Sequence, residues 1–329
     1  MTARSPNTLH VAIAGAGKMG ARHVRTFDAL TDVEVSVIYD PLPAAECDLS
    51  APMRRRCFQS YRAFLERARL ADVAVVAGPT ATHFGVARDL INCGLPCLVE
   101  KPMTVRPQEC LMLSQLARAR GTGLFCAHIE RFNPALVATA GVLRTQGWEE
   151  VVITRQNPSS ARLSGDSIVT DLMIHDLDIM QHVMGLMPEA LLEVEGGLNG
   201  RGRSAGEGAD QVMVRLQTDA GYPISLTTGR LPEHRARAIH ARGTQGSLHV
   251  DLLNHCHDLQ FADGAEPPIP AVSTQGDALS HQARAMIASV MDGRAHGLAS
   301  ADECWQTLTL CQLIEQRLRL ASYRHIRLH

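Results

Sequence analysis

Leu9-His10-Val11-Ala12-Ile13-Ala14-Gly15-Ala16-Gly17-Lys18-Met19-Gly20 is the stretch that decides the reading of this chain. Its first six residues make a short apolar run that stops at glycine, the pattern of a buried strand. Gly15, Gly17 and Gly20 then fall as G-x-G-x-x-G, and residues 18–30 carry Met19, Val24, Phe27 and Leu30 for the apolar face of a helix. A second β-branched run, residues 33–39, is followed by Asp40. Glycines alone mark many turns. A strand before them, a helix after them and an acid closing the next strand make the strong form of the pattern.

Each position has a physical role. Gly15 permits a tight turn, Gly17 lets the backbone approach a pyrophosphate, and Gly20 lets helix and strand pack closely. Lys18 and Met19 open a helix whose free N–H groups and positive dipole end suit phosphate oxygens. Asp40 is placed to accept hydrogen bonds from adenosine ribose hydroxyls and to repel the extra phosphate of NADP. The pattern therefore predicts a bound dinucleotide, NAD rather than NADP. Arg54, Arg55 and Arg56 are the residues that would favour NADP, and they also read as a solvated surface run.

Outward from this stretch, strands are predicted at 72–77 and 97–99, and helices at 60–69, 83–93 and 105–120. Near-continuous apolar strands alternating with helices indicate a parallel sheet covered on both faces. After about residue 125 the texture changes. Runs at 149–156, 190–196, 210–217, 222–228, 236–242 and 246–252 are closely spaced strands, which predicts a largely antiparallel sheet. Helices at 133–145 and 171–185 accompany it, and a last helix spans 301–321. The fold class is thus α/β, with an N-terminal Rossmann domain (1–125) and a C-terminal α+β domain (126–329) carrying an open sheet. The final helix is expected to pack back between the domains.

The 329 residues suit two cores, and a net charge of −2 provides no basic field for nucleic acid. No apolar run reaches the roughly 20 residues of a membrane span, and residues 1–10 lack the apolar stretch of a signal peptide. A cytoplasmic protein is expected. Nine cysteines, an odd and scattered set, read as free thiols in a reducing compartment. Neither Cys93 with Cys97 nor His255-Cys256-His257 has usual ligand spacing, so no metal is expected.

Further segments resemble the glucose–fructose oxidoreductase, inositol dehydrogenase and MocA family. They are Gly78-Pro79-Thr80-Ala81-Thr82-His83, Glu100-Lys101-Pro102, and Asp171-Leu172-Met173-Ile174-His175-Asp176-Leu177-Asp178. The first departs from the Thr-Pro of many members by reading Gly78-Pro79. The resemblance implies that Pro79, Thr80 and His83 lie near the cofactor, with Glu100 pairing a cation or a cofactor group. It implies that Lys101, Asp171 and His175 surround the nicotinamide. It also implies a homodimer or homotetramer formed through the open sheet. His128-Ile129-Glu130-Arg131-Phe132-Asn133-Pro134, taken with residues 171–178, is similar to members that oxidise the 3-hydroxyl of UDP-N-acetylglucosamine with NAD, on the way to 3-amino sugars of lipid A.

Oxidising a secondary alcohol requires a base for the hydroxyl proton and an acceptor for the hydride. His175 suits the first role by its intrinsic pKa. Asp171, four residues earlier, either orients His175, holds a neighbouring hydroxyl or caps a helix starting near 172. The Lys101 ammonium would stabilise the developing alkoxide. Arg131 and Asn133 either reach substrate or begin a helix. Arg155 and Arg162 either hold a diphosphate or are solvated. A free sugar, an inositol or an imine is an alternative substrate. A silent NAD-binding regulator is a further alternative, though it would have no need of Lys101, Asp171 and His175 together.

Overall fold

The computed structural model describes residues 8–145, 147–158, 167–197, 211–230, 235–261, 269–271 and 276–324. The chain forms two units. One comprises the chain through Phe132 together with Gly276–Gln306, and the other Asn133–Gln275 together with the chain from Thr307 onward. Residues 276–306 thus return to the first unit.

In the first unit the elements follow as β1 (Leu9–Ala14), α1 (Lys18–Asp28), β2 (Val33–Tyr39), α2 (Ala51–Arg54), β3 (Cys57–Phe58) and α3 (Tyr61–Ala68). They continue as β4 (Val73–Val76), α4 (Thr80–Asn92), β5 (Cys97–Glu100), α5 (Pro107–Arg120) and β6 (Leu124–Ala127). The strands lie in the order β6-β5-β4-β1-β2-β3, every pair parallel. All residues of β4, β5 and β6 are buried, as a sheet covered on both faces requires. The order reverses between β1 and β4. At such a switch point the following connections diverge and leave a crevice at the carboxyl ends of the strands.

The second unit contains α6 (Pro134–Thr145), β7 (Glu150–Gln156), α7 (Ile174–Asp178), β8 (Pro188–Gly197), β9 (Gln211–Thr218), β10 (Pro223–Gly229), β11 (Ala236–Gly243), β12 (Gly246–Asp251) and β13 (Cys256–Phe261). Its sheet runs β13-β12-β11-β7-β10-β9-β8, antiparallel except for the central β7/β10 pair. Along β9, Val212, Val214 and Leu216 are buried while Met213 and Arg215 are exposed, so one face is packed and the other open. The expected uniform helix at 171–185 differs in detail. Wide π turns at Val169–Met173 and Ile179–Val183 flank α7, and the helical segment starts earlier.

The chain closes with α8 (Ala278–Asp292), β14 (Ala299–Ser300) and α9 (Ala301–Arg324). β14 adds antiparallel to β6 at the edge of the first sheet. Ala283, Met286 and Leu298 join Val24, Phe27 and Leu98 in the first unit's core. Among the described residues no helix is long and apolar enough to cross a membrane.

Candidate active site

The crevice of the first unit is built where the loops after β1, β4 and β5 meet. Gly15 has φ 104°, a left-handed conformation natural only to glycine. A Cβ on Gly15 would stand 2.6 Å from Ala77 C and Gly78 N, so the loop after β1 rests directly on the loop after β4. A Cβ on Gly20 would fall 1.9 Å from Gly15 O, which is the close helix–strand approach expected of the third glycine. Gly17 is different: nothing lies within 4 Å of its Cβ position. The two packed glycines shape a cradle and the middle one leaves it open, which fits a pyrophosphate against the backbone. Gly17 and Lys18 are exposed and Met19 half-buried, so the start of α1 presents its N–H groups outward.

Asp40, directly after β2, is buried and fastens this loop. Its Oδ2 accepts from Ala16 N at 2.7 Å and its Oδ1 from Leu42 N at 2.9 Å. A carboxylate has further lone pairs with which to accept from ribose hydroxyls. Of the arginines once in question, Arg54 and Arg55 are exposed, while Arg56 pairs with Glu34 and donates to Val35 O.

Two histidines knit the crevice from behind. His23, on the buried face of α1, places Nε2 2.7 Å from Glu100 Oε1 at the end of β5. Burial alone would push the Glu100 carboxyl up. The hydrogen bond and charge of His23, with Lys101 and His83 nearby, bring it below the usual glutamate range. Glu100 thus has a hydrogen-bond partner within the protein. His83, expected to contact the cofactor, is 1% exposed. Its Nδ1 lies 3.0 Å from Pro102 O and its Nε2 2.9 Å from Gly78 O, so it ties the β4 loop to the β5 loop. Lys101, with a cis peptide to Pro102, is half-buried beside Glu100. Pro79 and Thr80 begin α4 at the rim of the crevice, exposed and half-buried respectively.

In the second unit Asp171 and His175 are both half-buried on the helical segment at 168–183. Asp171 is not the cap of this segment. Ser167 Oγ accepts from Thr170 N, and Asp171 N already donates to Ser167 O. The Asp171 carboxylate instead accepts from Arg230 Nη2 at 3.0 Å. Arg230, just past β10, was not singled out from the sequence, where nothing local marks it. His23 was missed too, although a histidine on the apolar face of α1 is a legible signal.

Three other candidates take structural posts. Arg155 is 2% exposed and paired to a buried carboxylate, with Nε 2.9 Å and Nη2 2.8 Å from Asp176 Oδ1. Asn133 begins α6, its Oδ1 accepting from Ala135 N and its Nδ2 donating to Leu252 O. Arg131 bridges to Glu303 at 3.3 Å within the first unit. Arg162 lies outside the described residues.

A doubly wound sheet with a glycine cradle at its switch point and an acid closing β2 defines a dinucleotide-dependent oxidoreductase domain. Residues 9–128 match the oxidoreductase family with an NAD-binding Rossmann fold, and residues 142–249 match the GFO/IDH/MocA C-terminal domain. The chain belongs to the GFO/IDH/MocA family. It is 27% identical over 268 residues to UDP-N-acetylglucosamine 3-dehydrogenase of Acidithiobacillus ferrooxidans, covering 80% of this chain and 81% of that one. It is 24% identical over 252 residues to inositol 2-dehydrogenase of Rhizobium meliloti, covering 73% and 75%. A solved structure of the Acidithiobacillus enzyme superposes with a TM-score of 0.81 at 23% identity, covering 94% of this chain and 98% of that one.

Proposed function

We propose that this oxidoreductase uses NAD to oxidise a secondary hydroxyl of a sugar or nucleotide sugar, with the 3-hydroxyl of UDP-N-acetylglucosamine as the first candidate. The observation that carries the reading is Lys101. It follows Glu100, which ends β5 and is locked to His23 of α1; β5 pairs with β4, and β4 with β1, the strand that leads into the glycine cradle. The bound nicotinamide supplies the hydride acceptor. Lys101 stabilises negative charge on the substrate oxygen, an effect worth about 2–4 kcal/mol in a dry site. His175 accepts the hydroxyl proton. Asp171, held by Arg230, orients His175 or a neighbouring hydroxyl. Asp40 selects NAD through its charge.

The likeness to UDP-N-acetylglucosamine 3-dehydrogenase supports the nucleotide sugar. One observation favours a second reading, a free sugar or inositol. Arg155, the candidate diphosphate anchor in the described residues, is consumed by Asp176. Purified protein with NAD is offered UDP-N-acetylglucosamine, other UDP-sugars, free sugars and inositols, and NADH formation is followed by absorbance. Turnover with the first and its loss in Lys101→Met and His175→Ala are expected. Turnover only with uncharged polyols transfers the assignment to the second reading. Turnover with none refutes both.

A further inference from the structure

Away from the crevice, three soft donors converge inside the first unit. Cys126 Sγ, a ring nitrogen of His128 and Cys304 Sγ all lie within 4.8 Å of one another. The three residues are 0%, 2% and 3% exposed. Cys126 and His128 are two residues apart, but Cys304 comes from a distant part of the chain, so no local spacing announces the set.

The fold holds them in register. Cys126 is in β6 and His128 directly follows the strand, in a turn that His128 N closes onto Cys126 O at 2.9 Å. Opposite Cys126, β14 contributes Ala299, which sets the first turn of α9 over the strand end. That turn is fixed by reciprocal caps: Ser300 N donates to Glu303 Oε2, and Glu303 N to Ser300 Oγ. The Arg131–Glu303 bridge then ties the residues flanking His128 to those flanking Cys304. Such prior fixing of the donors is what a metal site needs.

We propose that Cys126, His128 and Cys304 form a buried structural site for a thiophilic d10 metal ion, Zn2+ or Cu+. Two sulfurs and an imidazole with no carboxylate suit these ions and not calcium or magnesium. Binding forms two metal–sulfur bonds and releases two thiol protons to solvent. The N-terminal turn of α9 favours the resulting thiolate at Cys304. Zn2+ would take a fourth donor. Cu+ is satisfied by three. The ion would staple the edge strand pair to the start of α9.

The full-length protein is stripped with chelator under reducing conditions and titrated with Co2+, then with Zn2+ in competition. A parallel anaerobic titration delivers Cu+ against a colorimetric chelator. The expected result is one equivalent of Co2+ with sulfur-to-cobalt charge-transfer absorption, displaced by Zn2+, or one equivalent of Cu+, with a raised Tm in either case. Cys126→Ser, Cys304→Ser and His128→Gln should each weaken binding by at least about 10-fold, by analogy with losses at metal-supporting positions. Cys47→Ser, at a buried thiol outside this cluster, should leave it unchanged. Circular dichroism identifies any variant that fails to fold, and His128→Gln keeps both thiols as a second route. Absence of stoichiometric binding by all three ions overturns the proposal. So does binding that survives the three site variants and vanishes in Cys47→Ser.

Discussion

Two glycines in one motif should respond oppositely to the same methyl group. Gly20→Ala places an alanine inside α1, where helix propensity by itself would stabilise by about 1 kcal/mol. The new Cβ would lie 1.9 Å from Gly15 O and 2.7 Å from Gly15 C, whereas real contacts essentially never fall below 3.0 Å. The carbonyl would have to retreat by about 1.1 Å to reach that limit. Gly15 has no room to do so, because its own Cβ direction is walled by Ala77 and Gly78 at 2.6 Å. Overpacking costs typically 1–3 kcal/mol. With a rigid backbone on both sides the upper end applies, and the net loss after the propensity gain is about 2 kcal/mol. At about 2–4 °C per kcal/mol for a unit of this size, the Tm should fall by roughly 4–8 °C. Gly17 has nothing within 4 Å and an extended backbone that alanine also adopts. Gly17→Ala should therefore melt within about 1 kcal/mol of the parent. Its affinity for NAD should fall at least about 10-fold, because the methyl fills the space a phosphate must enter. Thermal melts and calorimetric NAD titration of both variants, with Gly85→Ala in the open middle of α4 as a stabilised control, decide the matter. A Gly20→Ala protein as stable as its parent, or a Gly17→Ala protein binding NAD at full strength, refutes this account of the cradle.

Other expectations follow from the same contacts. His23→Ala leaves the buried Glu100 carboxylate without its main partner and should cost about 1–3 kcal/mol by denaturant titration. Glu100 sits below its ordinary pKa, so its contribution to stability is complete above about pH 4.3 and is lost as pH falls through that range toward the lowered value. In His23→Ala the acid loss should begin at higher pH in Tm profiles. Arg155→Met strands a buried Asp176 and should destabilise by about 3–5 kcal/mol, with the KM of the folded fraction unchanged. A raised KM for UDP-sugars with unaltered stability would restore Arg155 as a substrate anchor. Arg230→Ala frees Asp171 and should lower kcat on the order of 10- to 100-fold while leaving NAD affinity intact, measured by steady-state kinetics and calorimetry.

Most of the first sheet was legible: β1, β2, β4 and β5 fall within a residue or two of their expected limits, while the short strands β3, β6 and β14 were not anticipated. Other elements that escaped notice had diluted signals. β13 is an edge strand with Leu259 as its single buried residue, so no alternation betrays it. α8 buries Gln282, Ala283 and Ser289 along with Leu279 and Met286, which blurs an apolar stripe. Its ends were nevertheless written plainly, as an Asp277 cap accepting from Ser280 N and a left-handed Gly293 after the last turn. In the candidate site, local pattern announced the tight turn at Gly15, the close packing at Gly20 and the place of Asp40 after β2. Contacts made with distant partners were not legible. Arg155 is claimed by Asp176, His83 by two carbonyl oxygens and Asp171 by Arg230. Nothing in a linear spacing reveals such partners.

The return of residues 276–306 to the first unit has a consequence for synthesis. A nascent chain that has delivered everything through Phe132 still lacks α8 and the edge strand β14. Val24 and Phe27 must wait for Ala283, Met286 and Leu298 before their apolar surfaces are fully covered. The half that leaves the ribosome first is therefore among the last to mature, and a prematurely stopped message should yield no free-standing dinucleotide binder.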